Sequence, residues 1–266
     1  MSAVVDHEVR GGLVWALRDS VNEAGRHLRA VPRSPELLVF STLQPVMFVL
    51  LFRYVFGGSI TIPGMRYEQY LIPGIFAQTV LFGTAFTGVG VAEDLTKGFL
   101  DRLRSLPISQ AAVLVGRTIS DMGRNLVTFA VMLIVSFLIG FRLEGGLVRG
   151  ILATLLLLAF SYSFSWIQTL VGMSVGSVEA ANSAGFIWMF PLTFVSSAFV
   201  DTRNMTPWLR RLADANPFTI VTNAARALYN GQPTGNTVWQ ALLWALSITV
   251  VFSTLAIRKF NRVASR

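Results

Sequence analysis

Several common chemical groups are missing from this sequence. Cysteine is absent, which excludes disulfide bonds and thiolate metal ligands. The only two histidines, His7 and His27, both lie near the N-terminus. No GxxxxGK[ST] phosphate loop, HExxH zinc motif or GxSxG nucleophile motif occurs. We therefore expect no catalytic residue, no metal site and no cofactor in this chain, and no means of holding ATP in the usual way.

Charge is also scarce. Charged residues make up 14% of the sequence, against about 25% in a typical soluble domain. Hydrophobic residues make up 53%, and the mean hydropathy is +0.58. This composition predicts an all-α polytopic membrane protein with a single transmembrane domain over residues 1–266. We attribute the net charge of +8 to basic residues beside the spans rather than to a nucleic-acid interface.

Six stretches are long enough to cross a bilayer, which takes about 20 mostly apolar residues. The first opens at Ser34-Pro35, a capping residue followed by proline at the first helical position. The boundary between the fourth and fifth rests only on length and on Ser177, Glu179 and Asn182. The predicted spans are 37–56, 70–91, 112–141, 150–178, 181–200 and 237–257.

Lysine and arginine are unequally distributed between the two sides of this predicted bundle. The side that holds the N-terminus, the 93–109 segment and the C-terminal tail has more of them, close to the span ends. Basic residues accumulate on the cytoplasmic side of membrane proteins. We therefore expect both termini and segment 93–109 to be cytoplasmic. Four arginines between positions 201 and 232 weaken this bias without reversing it.

Two further segments carry amphipathic helical patterns. Residues 1–35 contain an apolar stripe over 8–30, which predicts a cytoplasmic helix that lies on the membrane or docks on a neighbouring protein. In the 201–236 loop, Thr206-Pro207 and Asn216-Pro217 each open a short helix, and Asn230-Gly231 ends the second. We expect these two extracellular helices either to narrow a pathway or to plug the outer face of the bundle.

The charged segment 92–109 lies between two membrane-length apolar segments and predicts a short surface helix. Glu93 and Asp94 stand at its start, and Arg102 and Arg104 near its end, which suits the helix dipole. Pro107 stops the helix. Its apolar stripe consists of Leu95, Phe99, Leu103 and Leu106. Such an ordered face favours a docking element over a solvated connector.

Some polar residues fall within the predicted spans. Arg117, Asp121 and Arg124 share one face of the third span at spacings of four and three, which allows ion pairing. They form either an anchor at one end of that helix, or the polar wall of a conduit or a contact with the loop helix. Arg53 is expected to extend its charge towards the interface. We expect Gln44, Gln78 and the hydroxyl side chains within the spans to serve helix packing rather than substrate contact.

Two longer motifs resemble a known family. The segment AEDLTKGFLDRLRSLPIS (92–109) resembles the cytoplasmic signature of ABC-2 type exporter permeases. The segment PLTFVSSAFVDTRNMTPWLRRLADANPFTIVTNAARALYNG (191–231) is similar to the corresponding part of the daunorubicin/doxorubicin-resistance (DrrB-like) permeases, including its "SSAF" and "NPF". The likeness covers nearly the whole chain, from the N-terminal helix to the basic tail. It implies six transmembrane helices of ABC-2 exporter type.

The resemblance also implies partners. Family members are transmembrane subunits of ATP-driven exporters, and each pairs with a separate ATPase that binds ATP and Mg²⁺. It implies two copies of that ATPase, a second permease subunit and membrane lipids, but no nucleic acid. Symmetry favours a second copy of this chain as the second permease. The implied location is the bacterial inner membrane.

Site residues follow from the same resemblance. In the family, the loop after the second span is the coupling helix that docks on the ATPase. The pathway lies between two subunits and is lined by the first, second and fifth spans. The implied coupling residues are Glu93, Asp94, Phe99, Arg102, Leu103, Arg104, Leu106 and Pro107. The implied pathway residues are Gln44, Phe48, Gln78, Phe82, Phe190 and Phe194.

Three functions therefore stay open at this point. The first is export of hydrophobic or amphipathic compounds, drug-like or lipid. The second is export of polysaccharide or lipid-linked glycan, and the third is a non-transporting membrane sensor or scaffold. Twenty phenylalanines against five tyrosines favour apolar cargo over sugars.

Overall fold

The structure is a computed structural model that describes residues 35–57, 62, 64–97 and 110–264. The predicted N-terminal helix within 1–35 lies outside the described residues, except for its last position. Every regular element in the described part is helical, as the composition predicts. The elements are α1 Pro35–Leu50 with a π-helical continuation Leu51–Phe56, α2 Tyr67–Gly83, α3 Ala85–Thr96, α4 Gln110–Leu138, α5 Gly146–Gly172, α6 Val178–Phe194, a 3-10 turn Thr202–Asn204, α7 Pro207–Ala215, α8 Pro217–Tyr229 and α9 Thr237–Ala264.

Four helical stretches of the described residues are long and apolar enough to cross a membrane. They are Tyr67–Thr96, Leu114–Leu138, Gly146–Gly172 and Thr237–Arg262, and they correspond to the predicted second, third, fourth and sixth spans. The first and fifth predicted spans are shorter helices. At about 1.5 Å per residue, the 17 residues of α6 extend about 26 Å, slightly less than a bilayer core of about 30 Å. The six-span layout stays a prediction.

The second span occupies the centre of the bundle. Tyr67–Thr96 is one rod, interrupted only at Thr84, and 83% of its most apolar window is buried. Phe76 in the middle of α2 packs against Phe129, Phe141 and Tyr229, with ring centroids 5.0, 5.8 and 5.7 Å away. Around this rod, α5 packs against α9, α8 and α3.

The outer faces of α5 and α9 are apolar and exposed. In a soluble protein such faces would be turned inward, whereas lipid accepts them. Only 22% of the apolar window of α9 is buried. This distribution supports a membrane protein. The most exposed side chains on these two helices are Leu147, Val148, Ile151, Leu155, Trp239, Leu246, Val250 and Val251.

The loop between α6 and α9 forms the two predicted helices, α7 and α8. The first is mostly exposed and the second mostly buried. Asn216 caps α8 by accepting a hydrogen bond from the Phe218 backbone N–H, and Gly231 ends it with a φ of +69°. The second of these helices, α8, is buried within the bundle rather than lying on its surface. Its polar residues Thr219, Thr222 and Arg226 are as buried as its apolar ones, because α2, α5 and α9 surround it.

Two span boundaries also differ from the prediction. The fourth span ends at Gly172 rather than 178, and the fifth ends at Phe194 rather than 200. At the second boundary, the Asn216 side-chain amide donates hydrogen bonds to the carbonyls of Leu192 and Val195, at 2.7 and 2.8 Å. These are carbonyls that a continuing helix would have satisfied. The chain can therefore turn at residues 195–200.

Gly172 and Gly88 bring α5 and α3 into backbone contact. A Cβ on Gly172 would collide with the Gly88 carbonyl, and backbone atoms cannot move aside as a side-chain tip can. We expect Gly172→Ala to lower the free energy of unfolding by about 1–3 kcal/mol. Thermal unfolding of the detergent-purified protein measures this. Gly176→Ala is the matched control, because nothing lies within 4 Å of its Cβ position. Equal melting temperatures for the two variants would contradict the close approach.

Candidate functional site

A row of alternating charges joins α3 to α4. Arg117 Nη1 makes a close ion pair with Asp94 Oδ2, and Arg117 Nε lies 3.8 Å from Asp121 Oδ2. Arg124 Nη2 lies 3.1 Å from Asp121 Oδ1. The four residues, which we call the charged row, have formal charges that cancel. The predicted pairing within the third span is therefore correct, and Asp94 extends it to the neighbouring helix.

Asp94 and Glu93 correct one detail of the sequence analysis. They do not begin a separate surface helix but end α3, which runs to Thr96. Carboxylates at a helix C-terminus oppose its dipole. Here basic partners offset that effect, since Lys97 Nζ lies 2.6 Å from Glu93 Oε1 and Arg117 pairs with Asp94. The hydrogen bond from Lys97 holds the side chain of Glu93 along the last turn.

The remaining predicted coupling residues lie outside the described residues. They are Phe99, Arg102, Leu103, Arg104, Leu106 and Pro107. The structure describes the chain on both sides of these residues, up to the end of α3 and from the start of α4. The charged row therefore joins the last turn of α3 to the first half of α4.

A cavity of about 160 Å³ opens between α1, α2, α4 and α6. Gln44 and Phe48 come from α1, and Gln78 and Phe82 from α2, so four of the six predicted pathway residues lie together in its wall. The wall combines four phenylalanine rings with amide, hydroxyl and guanidinium groups, and one of these rings, Phe86, comes from α3. Its remaining lining residues are Pro45, Thr79, Gly83, Phe86, Arg124, Asn125, Thr128 and Phe186.

Phe190 and Phe194 do not line this cavity but connect to it through ring stacking. An aromatic arc runs from one cavity wall to the other, with consecutive centroids 5.2, 6.0, 5.2, 4.8 and 6.0 Å apart. Its members in order are Phe82, Phe190, Phe194, Phe199, Phe52 and Phe48. The arc joins α1 to α6 and to the turn after α6. The sequence did not indicate the contribution of Phe52 and Phe199.

The far end of the bundle is held by Arg226, whose role the sequence did not reveal. Its guanidinium donates hydrogen bonds to the carbonyls of Tyr70 (2.9 Å) and Ser197 (2.8 Å) and to Asn223 Oδ1 (2.6 Å). Its Cζ also lies 3.7 Å from the centroid of the Tyr70 ring. Among the described residues, no carboxylate approaches it within 4.0 Å. Carbonyl oxygens from the first turn of α2 and from the turn after α6 therefore take the place of a counter-ion.

The turn after α6 takes its shape from these bonds. Gly74 on α2 lets the backbone of Ala198 approach, since a Cβ there would collide with the Ala198 carbonyl. The Tyr70 hydroxyl donates to the Ser197 carbonyl at 2.9 Å. Beyond the turn, hydrogen bonds from Arg203 hold the pKa of Asp201 below its ordinary value. The turn thus carries Phe199 into the aromatic arc.

Arg53, which was expected to extend its charge towards the interface, forms an ion pair and keeps about one-third of its side chain exposed, at 33%. Its Nη2 lies 2.7 Å from Glu68 Oε1, which is nearly buried at the start of α2. A nearby carboxylate stabilises the charge without exposing it fully to water. Among the described residues, no group of three or more histidine, aspartate or glutamate side chains lies in a position to hold a metal ion.

Comparisons with known proteins identify relatives. Residues 24–230 match the family described as ABC-2 type transporter, and this region includes α1 to α8. The chain is similar to the daunorubicin resistance ABC transporter permease protein DrrB1 of Streptomyces coeruleorubidus, at 32% identity over 92% of this chain and 87% of that protein.

Two more distant relatives have related names. The probable doxorubicin resistance ABC transporter permease protein DrrC of Mycobacterium tuberculosis is 22% identical over 80% of this chain and 78% of its own length. The probable multidrug ABC transporter permease YbhR of Escherichia coli is 23% identical over 75% of this chain and 54% of its own length.

The Arg226 contacts generate a stability prediction. In Arg226→Met, the carbonyls of Tyr70 and Ser197 and the Asn223 side-chain oxygen each lose a hydrogen bond from a charged donor, and one such bond contributes about 1.5–3 kcal/mol. We expect a loss of about 3 kcal/mol in the free energy of unfolding, measured by thermal or denaturant unfolding in detergent. The exposed Arg211→Met is the control and should be nearly neutral. An Arg226→Met protein as stable as the control would show that the hydrogen bonds are not needed.

Proposed function

Because the chain belongs to the ABC-2 type transporter family, we propose that it is the transmembrane permease subunit of an ATP-driven exporter. It moves hydrophobic or amphipathic compounds, drug-like or lipid, out across the cytoplasmic membrane. A separate ATPase subunit powers this movement, so the chain itself is not catalytic. Relatives named as daunorubicin and doxorubicin resistance permeases support this assignment.

The cavity between α1, α2, α4 and α6 is the observation that carries the proposal. It lies among apolar helices, and its rings offer contact to an apolar cargo while amides and hydroxyls offer hydrogen bonds. Binding sites for small molecules typically combine apolar walls with a few polar groups in this way. Gln44, Phe48, Gln78 and Phe82 contact the cargo, and Phe190 and Phe194 adjoin its route through the aromatic arc.

The charged row supplies the mechanical connection in this proposal. The ATPase grips segment 93–109, and its closure on ATP displaces the ends of α3 and α4 together. An ion pair can transmit such a movement where breaking it would leave charges unpaired at low dielectric, which is costly. Arg117 and Asp94 are about one-quarter exposed, at 25% and 28%, so their pairing is only partly screened by water. Movement of α4 then alters the cavity wall at Arg124 and Asn125, in the manner of alternating access.

The complete transporter contains two permeases and two ATPase subunits. The exposed apolar side chains of α1 and α6, among them Met47, Tyr54 and Ile187, face the second permease, a copy of this chain. The permease has six spans in the bacterial inner membrane, with both termini and segment 93–109 on the cytoplasmic side.

The Arg117–Asp94 pair yields a prediction for coupling. In the complex reconstituted with its ATPase, Arg117→Gln and Asp94→Asn should each reduce drug-stimulated ATP hydrolysis by about fivefold or more. The double variant should be no worse than the poorer single variant, because the same interaction is lost once. Pull-down of the ATPase with each variant checks assembly.

A matched pair at the opposite end of the bundle serves as the control. Arg66 and Glu144 also form an ion pair, at 3.2 Å, but are both about half exposed. Arg66→Gln and Glu144→Gln should leave stimulation unchanged. Strictly additive losses for Arg117 and Asp94, or full stimulation in both, would rule out transmission through the pair. No stimulation of the unaltered complex by any drug or lipid would refute the exporter assignment itself.

A further inference from the structure

We propose that the cavity recognises a hydrogen-bond donor on its cargo, such as a hydroxyl group, through the side-chain oxygen of Asn125. This inference rests on the proposed function, since it names a chemical group that the cargo of the same cavity carries. Asn125 lies on α4 and was not among the residues that the sequence indicated. Its role follows from a fixed amide, from a glycine opposite it, and from a second amide in the same wall.

The amide of Asn125 is held in one orientation by α2 and α5. Its Nδ2 lies 3.0 Å from Ser161 Oγ and 3.4 Å from the carbonyl oxygen of Val80. Ser161 Oγ in turn donates its only proton to that same carbonyl, at 2.9 Å. Both neighbours therefore present acceptors to Asn125, and only the nitrogen of an amide can donate to an acceptor. The amide oxygen must point the other way.

The oxygen at the other end of this amide belongs to the cavity. Asn125 is a lining residue, and its Oδ1 accepts no hydrogen bond from the residues that the structure describes. Gly83 of α2 also lines the cavity and leaves the space that this oxygen occupies, since a Cβ there would collide with it. The acceptor is thus fixed in place before any cargo binds.

Burial makes a missing hydrogen bond at this oxygen costly. Asn125 is only 5% exposed. A cargo that covers Oδ1 without offering a donor removes it from water and leaves it unpaired, which is unfavourable. A cargo that places a hydroxyl group there satisfies it. A site that binds a hydroxyl in this way rejects the analogue without one more strongly than an apolar pocket can discriminate by size.

A complementary donor lies in the same wall. Gln78 is 3% exposed, and its Nε2 has no hydrogen-bond partner among the described residues. Buried donors without partners are uncommon in folded proteins. A hydroxyl group can both donate and accept, so it suits a wall that offers an acceptor and a donor. An ether oxygen can accept from Gln78 but has no proton to give to Asn125.

A matched pair of fluorescent probes tests the proposal. Pyrenebutanol carries a hydroxyl group, whereas its methyl ether carries an oxygen that cannot donate. Binding to the full-length permease is measured in nanodiscs of zwitterionic lipid, and empty nanodiscs correct for the partition of each probe into lipid. We expect the alcohol to bind at least about tenfold more tightly than the ether after this correction.

Three variants assign the preference to the amide oxygen. Asn125→Leu, which is similar in size and has no acceptor, should reduce the preference for the alcohol to within about twofold. Ser161→Ala should reduce it to about threefold or less, because the amide can then rotate. Ser163→Ala is the matched control and should keep the full preference. Its hydroxyl donates to the Phe160 carbonyl of its own helix, at 2.7 Å, and lies outside the cavity wall.

The remaining outcomes distinguish this proposal from the exporter assignment. Equal binding of the two probes to the unaltered protein would overturn recognition through Asn125 and leave the exporter assignment standing. The full preference in a folded Asn125→Leu variant or, where that variant does not fold, in Ser161→Ala would do the same. If neither probe binds the unaltered protein, both this recognition and the cargo-binding role of the cavity are refuted.

Discussion

The structure depends on the neutralisation of ionised groups inside an apolar bundle. A charge near the middle of a membrane costs about 2.5–3.5 kcal/mol on insertion scales. Asp121, Arg117, Arg124 and Asp94 avoid that cost by alternating along one row, with Asp121 between two arginines. The row fixes the ends of α3 and α4 to each other. One constraint therefore joins the last turn of α3 to α4, the helix whose Arg124 lines the cavity.

A second anchor of different chemistry holds the opposite end. Arg226 is hydrogen-bonded to the carbonyl oxygens of Tyr70 and Ser197, whereas Arg117 is paired with carboxylates. Through them it fixes the turn after α6, which places Phe199 between Phe52 and Phe194. The cavity lies between these two anchors. Its polar lining residues come from α1, α2 and α4, and the aromatic arc connects α1 to α6 beside it.

Local chemistry made much of this fold predictable. Asn216-Pro217 and Gly231 set the start and the end of α8, because capping and a positive φ depend on a few neighbouring residues. The Arg117, Asp121 and Arg124 face followed from helical spacing. A contact of this face with the loop helix was one of the expectations, but Asp94 could not be named as the partner. It lies 23 residues before Arg117, and periodicity within one helix carries no information about its neighbour.

Other features depend on tertiary packing that no local pattern encodes. The burial of Arg226 required knowing that α8 is enclosed by three other helices, whereas its amphipathic pattern left open whether it narrows a pathway or plugs the outer face. Phe190 and Phe194 were placed on the correct helix, but the family resemblance does not determine which face meets the cavity. Arg53 pairs with Glu68 although α1 and α2 are separate elements. In each case the missing information was the relative rotation of helices.

In the proposed mechanism, ATP binding by the partner ATPase changes the cavity through the charged row. Because the chain has no cysteine, Gln44→Cys places a single thiol at an exposed position of the cavity wall. The direct measurement is its rate of labelling by a membrane-impermeant thiol reagent, in the reconstituted complex, with and without a non-hydrolysable ATP analogue. The account predicts that the analogue changes this rate by at least about fivefold. An identical rate in both states, with the ATPase bound, would contradict it.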